Sequence, residues 1–446
     1  MREPNALERS DVEWRNWTGD EACRPKQIVH PGSVEEIAVA IGRATREGWR
    51  LRVTGAGHSF SDIACSEGML LVLDRLQGVL DVDRDAGLVR VQSGISIARL
   101  NASLAEHGLA LENLGDIDAQ SIAGAISTAT HGTGASLRNI SSQVAELTLV
   151  LGDGSTLVCS PARDPDVFRA ARVGLGALGV IAEVTLRCVP AFTLCGIDAP
   201  APLDETIERF EQLGRANEHF EFYVFPHCDT ALTRTNNRTE QPPAPRGKVA
   251  EYANDVLLTN RTFEMFCRIG RRLPSRIPEI NRIVTRLAGS SKRVDRSDRV
   301  FASPRLVRFT EMEYALPREC TTEAVRRVLE AVERRGFAVP FPIEVRTVAP
   351  DDALLSTAYG RESGYVAVHM YRGMPWRPYF EAVEQIMDSL GGRPHWGKRH
   401  FQTAATLRPR YPEWDRFQTA RARLDPQGLF ANAWTDRVLG PIGTSP

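Results

Sequence analysis

The sequence predicts a protein of mixed helices and strands that is divided between two domains. Its 446 residues exceed the usual size of a single domain. Between residues 33 and 186, short runs typical of strands alternate with runs of helical spacing. Beyond Pro190 the composition changes: residues 236–248 predict a polar, proline-rich loop, and residues 259–287 are rich in arginine with helical apolar spacing.

The individual elements follow from periodicity and from the residues that begin or end them. Helical spacing predicts a helix over residues 34–46 with Ser33 as its N-cap, and a second over residues 97–107 that stops at Gly108. Asp153 and Gly154 form a typical hairpin turn between residues 144–151 and 155–158. Further helices are predicted over residues 322–335 and 378–390. The other predicted strands are residues 51–54, 69–73, 80–82, 88–91, 180–189, 221–225, 341–348 and 365–371.

Composition argues against several classes of function. The formal net charge is −1, whereas nucleic-acid-binding proteins usually carry a basic excess. No apolar run approaches the roughly 20 residues that span a bilayer, and residues 1–20 lack the apolar core of a signal peptide. The eight cysteines stand singly, which is typical of a reduced, cytoplasmic protein and argues against metal clusters. The basic tract over residues 268–308 could bind an anion or a protein, although a solvated helical face is the favoured interpretation.

A glycine-rich turn with a histidine inside it is the most informative motif. Its glycines let consecutive backbone N–H groups turn inward, and such a concave nest binds phosphate. The third glycine of a dinucleotide fingerprint is replaced by Phe60, and the Gly-Lys-Ser/Thr ending of a Walker loop is missing. The turn therefore indicates a phosphate-bearing cofactor of another kind, with simple turn chemistry as the alternative. It consists of Val53, Thr54, Gly55, Ala56, Gly57, His58 and Ser59.

A second cluster of small residues spans residues 113–134. Such a surface suits close backbone approach to a flat, polar ligand, while a tightly packed loop system explains it about equally well. Further along the chain, Glu344 and Arg346 share one face of a predicted strand, which fits either an active site or an ion pair on a solvated sheet. Ala367, His369 and Tyr371 share a face of the next strand. His395 and His400 are too far apart in sequence, and without a convincing third ligand, for a zinc site, so no metal is predicted.

Taken together, these motifs resemble the sugar-1,4-lactone oxidoreductases of the vanillyl-alcohol-oxidase superfamily of flavoproteins. That family includes gulonolactone, arabinonolactone and galactonolactone oxidases and dehydrogenases, with alditol oxidase as a close relative. The resemblance runs in order from about residue 29 to residue 439. The motifs that carry it are Gly55-Ala56-Gly57-His58-Ser59, Asn113-Leu114-Gly115, Ser121-Ile122-Ala123-Gly124, Thr128-Ala129-Thr130-His131-Gly132, Glu344-Val345-Arg346 and His395-Trp396-Gly397-Lys398.

The resemblance implies an α+β fold with three parts. Residues 1–190 would form an FAD-binding domain in two subdomains, residues 191–392 a cap domain with an antiparallel sheet, and residues 393–446 a segment that returns to the FAD domain. The turn at residues 53–59 would cradle the pyrophosphate, and His58 would carry the flavin covalently through the 8α-methyl group. The other cofactor-binding residues that it implies are Gly115, Ser121, Gly124, Thr128, Ala129, Thr130, His131, Ile181 and His395.

The implied reaction is oxidation of the CH–OH group of an aldono-1,4-lactone by hydride transfer to flavin N5, which gives an ascorbate-type product. L-Gulono- and D-arabinono-1,4-lactone are the favoured substrates. Glu344, Arg346 and Lys398 would be catalytic, and Asp116, His369 and Tyr371 would bind substrate. Alditol oxidase has serine where this chain has Asp116, so a linear polyol is less well supported.

The electron acceptor is expected to be O₂, a redox protein or a quinone. The expected location is cytoplasmic, with peripheral membrane association as the alternative. In this family glycine at position 115 is typical of oxidases and alanine of dehydrogenases. The alternatives are an alditol or oligosaccharide oxidase of the same fold and a flavin-binding protein without catalysis.

Overall fold

The computed structural model describes residues 12–245, 260–303 and 305–442. The predicted α+β architecture, with an N-terminal part in two subdomains and a cap built on an antiparallel sheet, is confirmed. The helices are α1 Val34–Arg46, α2 Ile97–Glu106, α3 Ile122–Ser127, α4 Pro165–Ala171, α5 Leu203–Glu208, α6 Phe210–Ala216, α7 Thr262–Arg272, α8 Ile277–Leu287, α9 Ser297–Phe301, α10 Thr321–Arg335, α11 Arg377–Ser389, α12 Ala404–Leu407, α13 Trp414–Leu424 and α14 Ala433–Leu439.

The strands belong to three larger sheets and two strand pairs. They are β1 Trp14–Arg15, β2 Ala22–Cys23, β3 Gln27–Val29, β4 Leu51–Thr54, β5 Met69–Val72, β6 Val79–Asp83, β7 Leu88–Gln92, β8 Leu109–Ala110, β9 Val144–Val150, β10 Thr156–Cys159, β11 Val180–Arg187, β12 Val189–Pro190, β13 Thr193–Pro202, β14 His219–Val224, β15 Thr230–Arg238, β16 Ser291–Arg296, β17 Phe309–Pro317, β18 Ile343–Val348, β19 Ser363–Tyr371 and β20 Arg393–Pro394.

Two sheets build the N-terminal part of the chain. The first is parallel, in the order β3-β5-β4, and the second is antiparallel, in the order β10-β9-β11-β7-β6. Helix α1 begins as predicted, because the Ser33 hydroxyl accepts a hydrogen bond from the Glu36 amide at 3.2 Å. Strand β4 leads directly into the glycine-rich turn. Strand β4, at one edge of the parallel sheet, thus positions this turn and pairs with the central strand β5.

The cap is an eight-stranded antiparallel sheet in the order β16-β13-β15-β14-β18-β19-β17-β20. Helices α10 and α11 cover one face, where Val325 and Phe380 pack against Val345 and Met312 in one apolar core. The opposite face carries polar side chains of β14, β17, β18 and β19, because side chains alternate along a strand. This polar face forms the wall of the site described below.

The C-terminal segment packs against the N-terminal part. The Asn432 side-chain amide donates to the carbonyl oxygens of Asp62, Ile63 and Cys65, and Arg52 donates to the Phe430 carbonyl at 2.6 Å. These bonds tie the C-terminal segment to the chain on both sides of the glycine-rich turn.

The arginine-rich stretch predicted as helical over residues 259–287 is two helices. Proline at 274 and 278 cannot donate a backbone hydrogen bond, and a short 3₁₀ turn joins α7 to α8. Residue 259, like residues 246–248 of the predicted loop, lies outside the described residues. No helix of the described residues has both the length and the apolar character needed to cross a membrane.

Candidate functional site

The turn after β4 is a nest of backbone amides. Within the described part of the chain, the amides of Gly55, Ala56, Gly57, His58 and Ser59 make no hydrogen bond to another backbone group. Gly57 has a φ of +67°, which a residue with a side chain rarely adopts. A Cβ atom at Gly55 would come within 1.8 Å of the Ser121 hydroxyl oxygen. Glycine at 55 therefore lets the turn and the start of α3 lie against each other.

A cavity opens beside this turn. The buried Ser61 hydroxyl borders it and has no hydrogen-bond partner among the described residues, so a polar ligand can satisfy it. Free amides and an unpartnered hydroxyl fit the pyrophosphate of FAD. The predicted cofactor residues that line this cavity are Val53, Thr54, Gly55, Ala56, Gly57, His58, Ser59, Ser121, Gly124, Thr128 and Ile181.

A second cavity of about 770 Å³ lies between the cap sheet and the N-terminal part. Gln120 borders both cavities, so the two adjoin. The predicted site residues that line the larger cavity are Gly115, Asp116, Thr130, His131, Glu344, Arg346, His369, His395 and Lys398.

Two predicted residues line neither cavity. Ala129 is buried and has a φ of +59°. It lies in the bend between Thr128, which lines the first cavity, and Thr130, which lines the second. Tyr371 shares the strand face of His369 but lies two residues further along β19. Its ring stacks on Phe341 at 6.4 Å, and the Arg271 guanidinium lies 5.5 Å from its centre. The structure therefore does not bring Tyr371 to the predicted substrate position, because Phe341 and not Tyr371 borders the cavity there.

The Glu344 and Arg346 side chains meet on the cavity wall, as their spacing on β18 predicts. Arg346 donates to the Glu344 carboxylate and, at 3.0 Å, to Asp116. Its Nε lies 3.3 Å from the buried carboxylate of Glu221. Asp116 also accepts from Arg305 at 2.8 Å. Burial alone would raise the pKa of Asp116, but Arg346 and Arg305 hold it below its usual value.

Sequence reasoning missed the residues that β14 and β15 add to this cluster. Tyr223 donates to Glu221 at 2.9 Å and to Glu344 at 3.0 Å. Arg234 lies 3.4 Å from Glu221 and also binds Asp198. A usable signal was present, because Glu221 and Tyr223 alternate with Phe222 and Val224 in the predicted strand over residues 221–225. In the described cluster, three guanidinium groups thus balance the carboxylates of residues 116, 221 and 344.

Glu221 makes the stability of the protein without FAD depend on pH. Burial raises the pKa of this carboxyl to about 7, Asp116 acts in the same direction, and Arg346 and Arg234 oppose both. In the unfolded chain the pKa of a glutamate is about 4.3. The stability that protonated Glu221 contributes is therefore fully present below pH 4.3 and is lost as the pH rises through 7. As the pH rises through this range, the unfolding free energy of the wild-type protein should fall because Glu221 must ionise. In the Glu221→Gln protein that fall should be smaller by on the order of 3 kcal/mol. Urea unfolding between pH 4 and pH 8 measures the difference.

The exposed Glu205, substituted by glutamine, is the control for that measurement, since it should keep the wild-type pH dependence. Parallel curves for wild type and Glu221→Gln would contradict the assignment.

Glu311 on β17 connects two predicted residues. Its carboxylate accepts from Lys398 at 2.5 Å and lies 3.7 Å from Nε2 of His369. His369 Nδ1 lies 3.0 Å from the Pro342 carbonyl oxygen, which can only accept a hydrogen bond, so Nδ1 carries a hydrogen. Nε2 then faces the cavity carboxylates, with Glu344 at 3.9 Å. Glu311 was also missed, although two glutamates in the otherwise largely apolar strand β17 mark a polar wall.

A buried group of three residues lies deeper in the cavity. Nε2 of His131 is 3.3 Å from Glu313, and Nδ1 is 2.8 Å from the Gly132 carbonyl, so both ring nitrogens face oxygen acceptors. Burial alone would raise the pKa of Glu313, but His131 holds it well below its usual value. Burial lowers the pKa of the neighbouring His395 to about 3, so its ring is neutral.

His58 lines the cavity beside the glycine-rich turn and contacts the N-terminal segment. Its ring stacks on Trp17, with centres 5.4 Å apart. Burial, and secondarily the charge of Lys398, lower the pKa of His58 to about 4. The imidazole is therefore neutral at pH 7, which is the nucleophilic form.

Comparisons with known proteins agree with this arrangement. Residues 184–438 match the D-arabinono-1,4-lactone oxidase family, and residues 25–160 match an FAD-binding domain. The chain is 51% identical over 428 residues to L-gulono-1,4-lactone dehydrogenase of Mycobacterium tuberculosis, covering 96% of this chain and 99% of that one. It is 36% identical to L-gulonolactone oxidase of Bos taurus, covering 96% and 98%.

More distant relatives share the architecture. Alditol oxidase of a Streptomyces species is 31% identical, with 95% of this chain and 98% of that one covered. Among solved structures, cholesterol oxidase from B. sterolicum superposes with a TM-score of 0.82 at 18% identity and covers 99% of both chains, which shows the fold alone. From these matches and the site geometry, the chain belongs to the D-arabinono-1,4-lactone oxidase family of FAD-linked sugar-lactone oxidoreductases.

Proposed function

We propose that this protein oxidises the CH–OH group of an aldono-1,4-lactone, with L-gulono- and D-arabinono-1,4-lactone as the favoured substrates and an ascorbate-type compound as the product. The observation that carries the proposal is the ion pair between buried Glu344 and partly buried Arg346, which faces a cavity beside the phosphate-binding turn. Charged groups are costly to bury, so a pair that opens onto a cavity is typical of a site for a polar ligand.

The amides of the glycine-rich turn and the Ser61 hydroxyl would hold the FAD pyrophosphate, and His58 would bond covalently to the flavin. The residues of the larger cavity would enclose the flavin ring and the lactone. When bound, FAD supplies the hydride acceptor.

The cavity residues divide the remaining work. Arg346 and Glu344 would bind and orient the hydroxyl that is oxidised, since one group donates hydrogen bonds and the other accepts them. Nε2 of His369 is a suitable acceptor for the hydroxyl proton, because Nδ1 is committed to the Pro342 carbonyl. Lys398, held by Glu311, would supply positive charge where negative charge develops in the reaction.

Anaerobic bleaching of the flavin by a panel of sugars tests the proposal. We expect aldono-1,4-lactones to bleach it, and alditols and aldoses to do so far more slowly. The Asp116 carboxylate, held by two arginines, argues against a linear polyol because alditol oxidase has serine there. Bleaching by alditols alone would replace the lactone with a polyol, and a flavin that none of these compounds bleaches would indicate a binding protein.

Gly115 is proposed to keep open the passage by which O₂ reaches the reduced flavin. A Cβ atom at this position would lie 3.0 Å from the His131 carbonyl oxygen and 3.6 Å from the Thr130 methyl group, both on the wall of the larger cavity. We expect Gly115→Ala to slow reoxidation by O₂ by at least tenfold, while reduction by the lactone and turnover with an artificial dye stay near wild type. Stopped-flow mixing of the reduced protein with O₂ measures the rate.

Gly152→Ala is the control for that experiment, since its added Cβ would meet the nearest atom at an ordinary 3.6 Å and lies outside both cavities. If reduced wild-type flavin persists for minutes in air, the physiological acceptor is a redox protein or a quinone, and Gly115 does not gate O₂.

A further inference from the structure

Helices α7 and α8 expose apolar side chains in stripes. Met265, Ile269 and Leu273 follow one another at intervals of four residues and are 39–53% exposed. Ile283 and Leu287 continue the pattern on α8 at 47% and 69% exposure. Both helices already bury another apolar face, through Cys267 on α7 and the isoleucines 277 and 280 on α8. The exposed stripes are therefore additional to the faces that hold the helices on the protein.

Arginines flank these stripes at the same spacing. Residues 261–287 contain seven arginines and two glutamates, whereas the whole chain has a net charge of −1. Glu264 and Glu279 are paired with neighbouring arginines of the same segment. Arg272, Arg282 and Arg286 are exposed and form no salt bridge with a described residue. Within the described part of the chain, the surface thus combines exposed apolar side chains with three arginines that have no acidic partner.

We propose that this α7–α8 surface docks on a lipid bilayer that carries anionic headgroups. Guanidinium groups bind lipid phosphates while neighbouring apolar side chains enter the boundary between headgroups and acyl chains, as in interfacial amphipathic helices. The larger cavity reaches the surface at the same place, where Leu287, Gly289 and Ser290 line it and are exposed. A docked protein would therefore hold the rim of this cavity against the membrane.

Two other occupants fit the surface less well. A second copy in a twofold dimer would place this arginine-rich surface against itself, and like charges would face each other. A protein partner would need an acidic patch placed opposite Arg272, Arg282 and Arg286 together with an apolar strip, whereas an anionic bilayer offers both over its whole area. A bilayer accommodates both, since long cationic side chains reach the headgroups while apolar ones go deeper.

Sedimentation of the FAD-loaded, full-length protein with vesicles tests the proposal. We expect binding to vesicles of phosphatidylcholine with phosphatidylglycerol and little binding to phosphatidylcholine alone. The triple variant Arg272→Gln, Arg282→Gln, Arg286→Gln should bind roughly a hundredfold more weakly. Met265→Ser with Ile269→Ser and Ile283→Ser should reduce binding by at least tenfold. None of these six residues lines either cavity, so dye-linked turnover and the flavin spectrum should match wild type.

Val39→Ser and Arg334→Gln are matched controls, because both residues are exposed on other helices. Equal binding to charged and neutral vesicles, no effect of the six substitutions, or an equal effect of the controls would each overturn the proposal. So would self-association in sedimentation velocity that the serine variant abolishes while vesicles bind nothing.

Discussion

In the Glu344→Gln protein, we expect reduction of the flavin by the aldonolactone to slow by about 100-fold or more. The substitution removes one negative charge and keeps the size of the side chain. Arg346 retains Asp116 at 3.0 Å and Glu221 at 3.3 Å, so its guanidinium stays paired and the fold should persist. The loss should therefore fall on the orientation of the substrate hydroxyl rather than on folding. Anaerobic stopped-flow at the flavin absorbance maximum measures the rate.

Glu323→Gln is the control for this experiment. Glu323 is exposed on α10, which packs on the face of the cap sheet opposite the cavity. It should react at the wild-type rate. A folded Glu344→Gln protein that keeps the wild-type flavin spectrum and near-normal bleaching would leave Glu344 with only a structural role.

We expect His58→Ala to abolish covalent attachment of the flavin. The ring lines the cavity beside the amide nest and is neutral at pH 7, because burial and Lys398 lower its pKa to about 4. Attachment would need the lone pair of a neutral imidazole nitrogen, which an imidazolium lacks. The 8α-methyl group would lose a proton, and the two electrons left on the flavin would pass to its electron acceptor. On a denaturing gel, the wild-type band should fluoresce and the His58→Ala band should not.

His30→Ala should keep the fluorescent band, since His30 is bound to Asp74 and lines neither cavity. Flavin that leaves the wild-type protein on acid precipitation would show that the cofactor is held without a covalent bond. His58 would then serve only as a packing partner of Trp17.

Features of the fold that depend on short stretches of chain could be predicted from the sequence. The limits of α1 and its Ser33 cap, the hairpin of β9 and β10, and the turn after β4 agree with the structure. Each depends on periodicity, a capping side chain or glycine chemistry within a few residues. The shared face of Glu344 and Arg346 is predictable for the same reason, because side chains two apart on a strand point the same way.

Motif spacing, through the resemblance to a known family, also indicated the cofactor cavity. Residues 53–59, Ser121 and Thr128 do line one cavity, and Thr130 and His131 line the next. Tyr371 shows the limit of that reasoning. Its strand face is the predicted one, yet the cavity ends at Phe341, and only the packed structure shows where a cavity ends.

Tertiary structure alone decided which charges meet. Tyr223 is the cross-strand partner of Glu344, and Glu311 is the partner of His369, although 121 and 58 residues separate them in the chain. The alternation of side chains along a strand determines the face of that strand on which each residue lies. Its neighbours across the sheet depend on strand order and register, which long-range packing selects. The sequence by itself thus determined the turn, the strand faces and the family, while the three-arginine cluster around Asp116, Glu221 and Glu344 arose only when the sheet assembled.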